Sequence, residues 1–245
     1  MIINNKKFTL LREIKTFIFH CKNTNLKMLF KFLTSRIYEI FFLNNHEENE
    51  FEKFVKNKKL KFSKNWFLSN LNIFKKCLKT SPNNILELGT YEGLVAIWFS
   101  KNFPKSKVYA VDPLIQDLNT LKERVENEQI NNLNINLDTI KSENIIFEKK
   151  TSDSFFLNNK LLFDIVYIDG LHTYEACTKD LLNSFKFLNV EGYMMIDDVR
   201  LDVYPNKLNV INAIKNFVDC YNYYIDIIFF GWNVIVIKKK REIDF

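Results

Sequence analysis

Glycine and proline are scarce: five of one and four of the other in 245 residues exclude a collagen-like or low-complexity polymer. Cysteine is scarce as well. Cys21, Cys77, Cys177 and Cys220 stand far apart with no Cys-x-x-Cys pair, so they read as reduced thiols, not as a disulfide framework or a zinc site. No stretch reaches the roughly 18 uninterrupted apolar residues of a membrane span. Lys6 and Lys7 stand near the start, but Arg12, Glu13 and Lys15 cut the apolar run that a secretion signal needs. The residues before Cys21 (Phe17-Ile18-Phe19-His20) lack the small side chains of a lipoprotein cleavage site. The chain therefore reads as uncleaved and cytoplasmic. Apolar bulk is plentiful: 47% of residues are hydrophobic and 24 are Phe, enough for a dry core in one large domain or a domain with an appendage.

The net charge of +6 is unevenly spread. Residues 1–43 hold eight basic residues (Lys6, Lys7, Arg12, Lys15, Lys22, Lys27, Lys31, Arg36) against Glu13 and Glu39, and the rest of the chain balances. A nucleic-acid enzyme carries basic charge around its cleft; here the excess belongs to a flanking arm, so no nucleic-acid partner is expected. Residues 8–20 and 25–43 of the arm read as helices. In the second, Leu26, Leu29, Phe30, Leu33, Ile37, Ile40 and Phe41 recur every three or four residues, with Lys27, Lys31 and Arg36 between them. Such a helix is either a cap on the main domain with a solvated lysine face, or a basic amphipathic element that meets an anionic membrane or a partner chain, a second copy included. Residues 44–65 run acidic and then basic, as a linker does. The division is thus 1–65, a helical basic extension with a charged linker, and 66–245, the main domain.

From residue 66 the pattern is regular. Helices are expected at 66–79 (Trp66, Leu71, Phe74 and Leu78 on one face), 92–102, 114–129 (stripe Leu114, Leu118, Leu121, Val125), 173–188 and 208–221. Strands are expected at 85–88, 108–111, 145–148, 163–168 and 193–196, with two closing runs at 223–230 and 233–239. This alternation specifies an α/β fold: a doubly wound, mostly parallel sheet of seven strands, Rossmann-like, with a C-terminal antiparallel hairpin. Ligands of such sheets sit outside the carboxyl ends of the strands.

The unusual residues fall at those ends. Glu87-Leu88-Gly89-Thr90-Tyr91-Glu92-Gly93 lies between a strand and a helix, where glycine permits a tight turn and close backbone approach. It is not G-x-G-x-x-G and cannot seat a pyrophosphate. Asp112 ends the next strand, where a carboxylate can accept from both hydroxyls of a ribose; it could equally cap the following helix. Together they suggest a nucleoside ligand without a diphosphate. Further on, Asp169 and the pair Asp197-Asp198 end two strands, with His172 three positions after the first. Three convergent carboxylates would repel unless a cation joins them, and oxygen ligation favours a hard divalent ion, Mg²⁺ foremost, or Mn²⁺ or Ca²⁺. His172 is then placed as a neutral base near pH 7. The competing reading makes these aspartates helix caps and turn residues. Side chains at adjacent strand positions also point to opposite faces, so Asp197 and Asp198 converge only if the chain turns there.

Residues 66–239 resemble class I S-adenosylmethionine-dependent methyltransferases, and within them the metal-dependent sugar O-methyltransferases of macrolide and aminocoumarin type. The resemblance rests on Ile85 to Gly93, Val111-Asp112-Pro113, Thr151-Ser152-Asp153-Ser154, Tyr167-Ile168-Asp169-Gly170-Leu171-His172, Met195-Ile196-Asp197-Asp198 and Gly231 to Ile237. Glu191-Gly192 departs from the usual Gly-Gly. The resemblance implies that Glu87 and Gly89, with Tyr91 and Gly93 in the same turn, bind the methionyl part of S-adenosyl-L-methionine. It implies that Asp112 binds the ribose, and that Ser152 and Asp153 lie beside the adenine. It further implies that Asp169, Asp197 and Asp198 hold a divalent metal, with His172 or Asp169 taking the proton. The expected reaction is O-methylation of a small-molecule or glycan hydroxyl, with the loop 199–209 (Arg200, Tyr204) shaping the acceptor pocket. The alternative is a non-catalytic module that uses the fold to dock a partner or membrane through its arm. A nicotinamide dehydrogenase lacks its glycine fingerprint, and an N-methyltransferase of nucleic acid lacks its Pro-Pro-Tyr signature.

Overall fold

The computed structural model describes residues 10–64, 68, 70–78, 81–114, 123–199 and 209–243. Short apolar runs form the strands: β1 (Asn84–Leu88), β2 (Lys107–Val111), β3 (Ile145–Glu148), β4 (Phe163–Ile168), β5 (Leu188–Ile196), β6 (Ile225–Phe230) and β7 (Ile235–Lys239). They build one sheet in the order β3-β2-β1-β4-β5-β7-β6. The first five strands pair in parallel, whereas β7 pairs antiparallel with both β5 and β6. The closing hairpin thus folds back, so that its second strand lies inside the sheet and β6 forms the edge. Because β1 lies between β2 and β4, the chain leaves their carboxyl ends in opposite directions and opens a crevice there.

Alternation along each strand supplies two cores. Leu86, Leu88, Val166, Ile168, Met194 and Ile196 face one side, under α7 (Ser152–Asn158), α8 (Tyr174–Lys186) and α9 (Asn209–Tyr221). Ile85, Val108, Ile165, Tyr167 and Met195 face the other, with α4 (Leu71–Cys77) and α5 (Leu94–Asn102). Trp98 and Phe74 are buried there, their rings 6.3 Å apart. The four cysteines form no disulfide with one another.

The arm is packed on this frame. Helix α2 (Leu26–Phe42) lies against the edge strand β6, and α1 (Leu10–Asn23) against α9. His20, Phe32 and Phe230 form a ring cluster, and the Phe230 amide donates to Ser35 Oγ at 3.0 Å, which occupies a backbone group of the edge. Trp232 Nε1 donates to Thr16 Oγ1 at 2.9 Å. The charged stretch expected as a linker is instead helix α3 (His46–Lys58) over most of its length. Phe51 anchors it in the core, and Trp98 Nε1 donates to Glu47 Oε1 at 3.1 Å.

The helix expected at 114–129 differs as well. It is described from Glu123 and runs to Ile140 as α6; Leu118 and Leu121 lie outside the described residues, as does the Val125 side chain. Its inner face carries Gln129, Asn132 and Asn136 beside Leu133. Asn136 donates to the carbonyls of Lys61 (2.8 Å) and Glu92 (3.0 Å), and Asn132 to Glu92 Oε1 (2.8 Å). A face held by buried amides leaves little apolar periodicity to read. No helix among the described residues is long and apolar enough to cross a membrane.

Candidate active site

At the end of β1 the chain turns through Gly89, whose φ is +90°. A Cβ at this position would stand 2.0 Å from the Asp169 carbonyl oxygen. The missing side chain lets β1, β2 and β4 close up: Gly89 donates to the Val111 carbonyl and Asp169 to the Leu88 carbonyl, both at 2.9 Å. Glu87, one turn of the pleat earlier, is fully buried. Burial raises its pKa well above the usual range, and the fields of Asp112 and Asp169 push the same way, against hydrogen bonds from Thr90 and from the Ala96 backbone. A buried carboxylate among other carboxylates is a seat for a cationic ligand.

Asp112 closes the next corner of the crevice. Its Oδ2 accepts from the Tyr91 amide at 2.7 Å and its Oδ1 from the Leu114 amide at 2.6 Å. Tyr91 contributes that backbone contact, while its hydroxyl lies 3.0 Å from Ser63 Oγ. Gly93 starts α5, its amide donating to the Thr90 carbonyl at 2.8 Å. Ser152 and Asp153 open α7, which Thr151 caps by accepting from the Ser154 amide. The Asp153 carboxylate is largely exposed and pairs with Lys179 at 3.0 Å, whereas Ser152 hydrogen-bonds to the buried Asp180. Burial lifts the Asp180 carboxyl to about 6, with Ser152 opposing.

Asp169 and Asp197 extend the β4–β5 ladder by one step, the Asp197 amide donating to the Ile168 carbonyl at 3.0 Å. The chain then turns: Asp198 has φ +52°, a left-handed conformation that aspartate tolerates. That turn sends two neighbouring carboxylates to different places. Asp198 joins Asp169 and His172, and each of the three offers a ligand atom within 4.8 Å of the others. His172 Nε2 lies 3.4 Å from Asp169 Oδ1 and 3.2 Å from Asp198 Oδ2. Asp197 turns inward. Its Oδ2 accepts from Tyr167 Oη (2.6 Å) and Asn70 Nδ2 (2.9 Å), and its Oδ1 from the Asp198 amide (2.8 Å) and Asn233 Nδ2 (3.4 Å). With those donors on it, Asp197 stands outside the convergent set, and His172 takes the third position.

The electrostatics follow. Burial lifts the Asp197 carboxyl to about 8, helped by Asp169 and Asp198. Asp169 is also raised by burial, against the pull of His172. Burial disfavours a charged imidazole at His172, yet Asp169 and Asp198 outweigh it and hold the ring proton up to about pH 10. Without a further cation, then, His172 is an imidazolium and not the neutral base expected from the sequence. Asp198, bonded to His172 and to Asn233 Nδ2 at 2.7 Å, is lowered despite its burial.

Tyr167, Asn70, Asn233 and Asp180 carry parts of this site that sequence reasoning assigned no role. Tyr167 is two positions before Asp169 in the same strand and so shares its face, a signal present in the spacing. Asn70 lies over a hundred residues away and gave none. Asp169, His172 and Asp197 line a shallow pocket together with Gly170, Leu171, Cys177, Asp180 and Val210. The expected acceptor-loop residues Arg200 and Tyr204 lie outside the described residues.

Residues 86–199, which span every strand end just described, match the family model for a methyltransferase domain. The matched stretch, a little under half of the chain, marks it as a methyltransferase of class I fold. No curated protein matches the sequence. Among solved structures, the O-methyltransferase TomG from Streptomyces achromogenes, in complex with its methyl donor, is similar with a TM-score of 0.52 and 9% identity, over 89% of this chain and 100% of that one. The methyltransferase PaMTH1 from Podospora anserina gives 0.50 and 13%, over 80% and 88%. The MycE methyltransferase of mycinamycin biosynthesis, in complex with Mg, S-adenosylhomocysteine and mycinamycin VI, gives 0.53 and 16%; the methyltransferase covers 55% of its length by 80% of its own. At these identities the likeness is one of fold.

Proposed function

We propose that the methyltransferase moves the methyl group of S-adenosyl-L-methionine to a hydroxyl of a small molecule or glycan, assisted by a divalent cation. The observation that carries this reading is the convergence of Asp169, His172 and Asp198 at the strand ends beside the crevice. The buried Glu87 carboxylate fits the ammonium and sulfonium charge of the donor, and Asp112 at the end of β2 suits a ribose. Ser152 and Asp153 border the same crevice. The MycE neighbour holds Mg, S-adenosylhomocysteine and its macrolide together, which supports the same assignment.

In the reaction the acceptor oxygen forms a bond to the methyl carbon, the carbon–sulfur bond breaks with its electron pair going to sulfur, and the hydroxyl proton leaves. The sulfonium loses its charge, so the protein's task is alignment and activation of the acceptor. Asp169 and Asp198, with His172, would hold the cation; one imidazole nitrogen among carboxylate oxygens suits Mn²⁺ as well as Mg²⁺. When bound, the ion supplies polarisation of the acceptor oxygen and offsets the negative field on His172. A ligating His172 would have no lone pair left for the hydroxyl proton, so the Asp169 carboxylate oxygen that does not hold the ion would receive it. Asp197 keeps its place under Tyr167 and Asn70, and holds the β5 end in register.

Calorimetry with S-adenosylhomocysteine, with and without Mg²⁺ or Mn²⁺, tests the proposal. Binding strengthened by a cation, followed by turnover of a vicinal diol in an acceptor screen, is the expected outcome. No binding at millimolar ligand would leave the non-catalytic module as the answer. Binding and turnover indifferent to added cation and to chelator would remove the metal.

A further inference from the structure

Helix α2 is apolar on two sides. Met28, Phe32 and Ser35 face β6 and are buried. The opposite side carries Leu26, Phe30, Leu33, Ile37, Ile40 and Phe41, spaced four and three residues apart, with Leu26, Phe30 and Phe41 exposed by 85%, 71% and 74%. At 3.6 residues per turn these six fall in one sector of about 100°. A helix that packs on a core by one face ordinarily turns polar on the other; among the described residues nothing covers this one. Phe17 and Ile18 of α1 add to the exposed apolar surface.

The charges beside it are mainly positive. Lys15, Lys22 and Lys27 are exposed and Lys31 is half-buried, whereas Glu39, the acid of this stretch whose side chain is described, is paired with Arg36. Of the acids on other elements, Asp219 pairs with Lys215, and Asp226, whose field reaches Lys27, pairs with Lys240. Lys27 and Lys31 lie along one margin of the apolar sector, where lysine stems can lie along a greasy surface and lift the ammonium to a headgroup.

We infer that this face docks the protein on an anionic lipid surface. The complementarity is specific: phenylalanine and isoleucine enter the acyl boundary while lysines meet anionic headgroups. A second copy fits less well. A 17-residue helix is about 25 Å long and about 10 Å wide, so a self-paired stripe falls short of the ~1,200 Å² of a stable interface. The placement also suits the enzyme. Lys27 near the start of α2 bonds Asn222 before β6, and Glu39 near its end abuts Gly231 after β6. The helix therefore runs toward the carboxyl ends of the strands, and Gly231 is two residues from Asn233, which holds Asp198. Docking through α2 brings the site close to the lipid surface.

Flotation of the full-length protein with vesicles tests the inference. Binding to phosphatidylcholine–phosphatidylglycerol vesicles is expected to exceed binding to phosphatidylcholine alone by about tenfold or more, and to fall with added salt. Phe30→Ser with Ile37→Ser, and Lys27→Glu with Lys31→Glu, should each abolish it, with S-adenosylhomocysteine binding unchanged in both pairs because neither touches the site, and the melting temperature unchanged in the first, whose side chains point outward. Wild-type protein that stays unbound, or binding that both pairs leave intact, overturns the inference. So does light scattering that finds a dimer dissolved by Phe30→Ser with Ile37→Ser, without vesicle binding; that outcome assigns the face to a second copy.

Discussion

Tyr167 Oη donates to Asp197 Oδ2 at 2.6 Å and lies 3.4 Å from Asp169 Oδ2. One hydroxyl thus stands between carboxylates from two neighbouring strands. Burial raises the Tyr167 pKa well above its usual value, reinforced by Asp169 and Asp197, so the phenol stays protonated and remains a donor. This bond separates the two aspartates by role: Asp197 is tied down and Asp169 is left facing His172.

Tyr167→Phe removes that donor from a buried carboxylate. The expected loss of stability is about 1–3 kcal/mol, measured by urea denaturation. Cation affinity should weaken by about tenfold or more, since the group that orients Asp169 is gone. Binding of S-adenosylhomocysteine should hold.

The three aspartates should separate on substitution. Asp169→Asn and Asp198→Asn each remove a ligand and should lower turnover by about a hundredfold or more, with S-adenosylhomocysteine affinity nearly unchanged. Asp197→Asn should spare cation binding and act on stability instead. Equal loss of cation binding in all three, by calorimetry, would place Asp197 back among the ligands. Equal loss of turnover and ligand affinity in Asp169→Asn would make Asp169 a structural or donor-binding residue.

The His172 imidazolium has a sign that can be read directly. Its pKa rises from 6.5 to about 10 on folding, so its contribution to stability is complete below pH 6.5 and disappears as pH rises through about 10. His172→Gln should flatten that part of a stability–pH curve. A cation that takes His172 as a ligand must displace the proton. Its affinity should therefore rise with pH above neutrality, and buffers of different ionisation enthalpy should report proton release.

Asp180 runs between lower limits. Its pKa rises from 3.8 to about 6 on burial, so stability is full below pH 3.8 and is lost as pH rises through about 6. Asp180→Asn keeps an acceptor for Ser152 without the buried charge. The variant should be more stable than the parent above pH 6, by up to about 3 kcal/mol, and similar to it at the acid end.

Gly89→Ala tests the closure of the strand ends. A methyl group 2.0 Å from the Asp169 carbonyl oxygen cannot be accommodated without moving β4. The φ of +90° adds strain for any L side chain. Donor binding and cation binding should fall together, because Asp169 moves with the strand.

Strands β1, β2, β4 and β5 were legible because each is an apolar run closed by Gly89, Asp112, Asp169 or Asp197, and burial on both faces of a parallel sheet demands such runs. Helix α6 was displaced in the reading because asparagines and a glutamine fill its inner face. Helix α3 looked like a linker because its single buried anchor, Phe51, is outnumbered by charge. Glu87, Gly89, Asp112, Asp169, Asp197 and Asp198 were visible as residue types at strand ends, whereas Asn70 and Asp180 were not. Which of these residues converge was not visible either.

Sequence alone determined the alternating frame, the strand ends that carry chemistry, and the concentration of positive charge in the first 43 residues. Tertiary structure decided how those pieces are used. The left-handed turn at Asp198 and the donors on Asp197 decided that Asp198 converges with Asp169 and His172 while Asp197 bonds Tyr167 and Asn70. Packing α2 on β6 used up one apolar face of the arm and left the other outward. Both outcomes depend on contacts between residues far apart in the chain, Asn70 with Asp197 and Ser35 with Phe230, which local pattern does not encode.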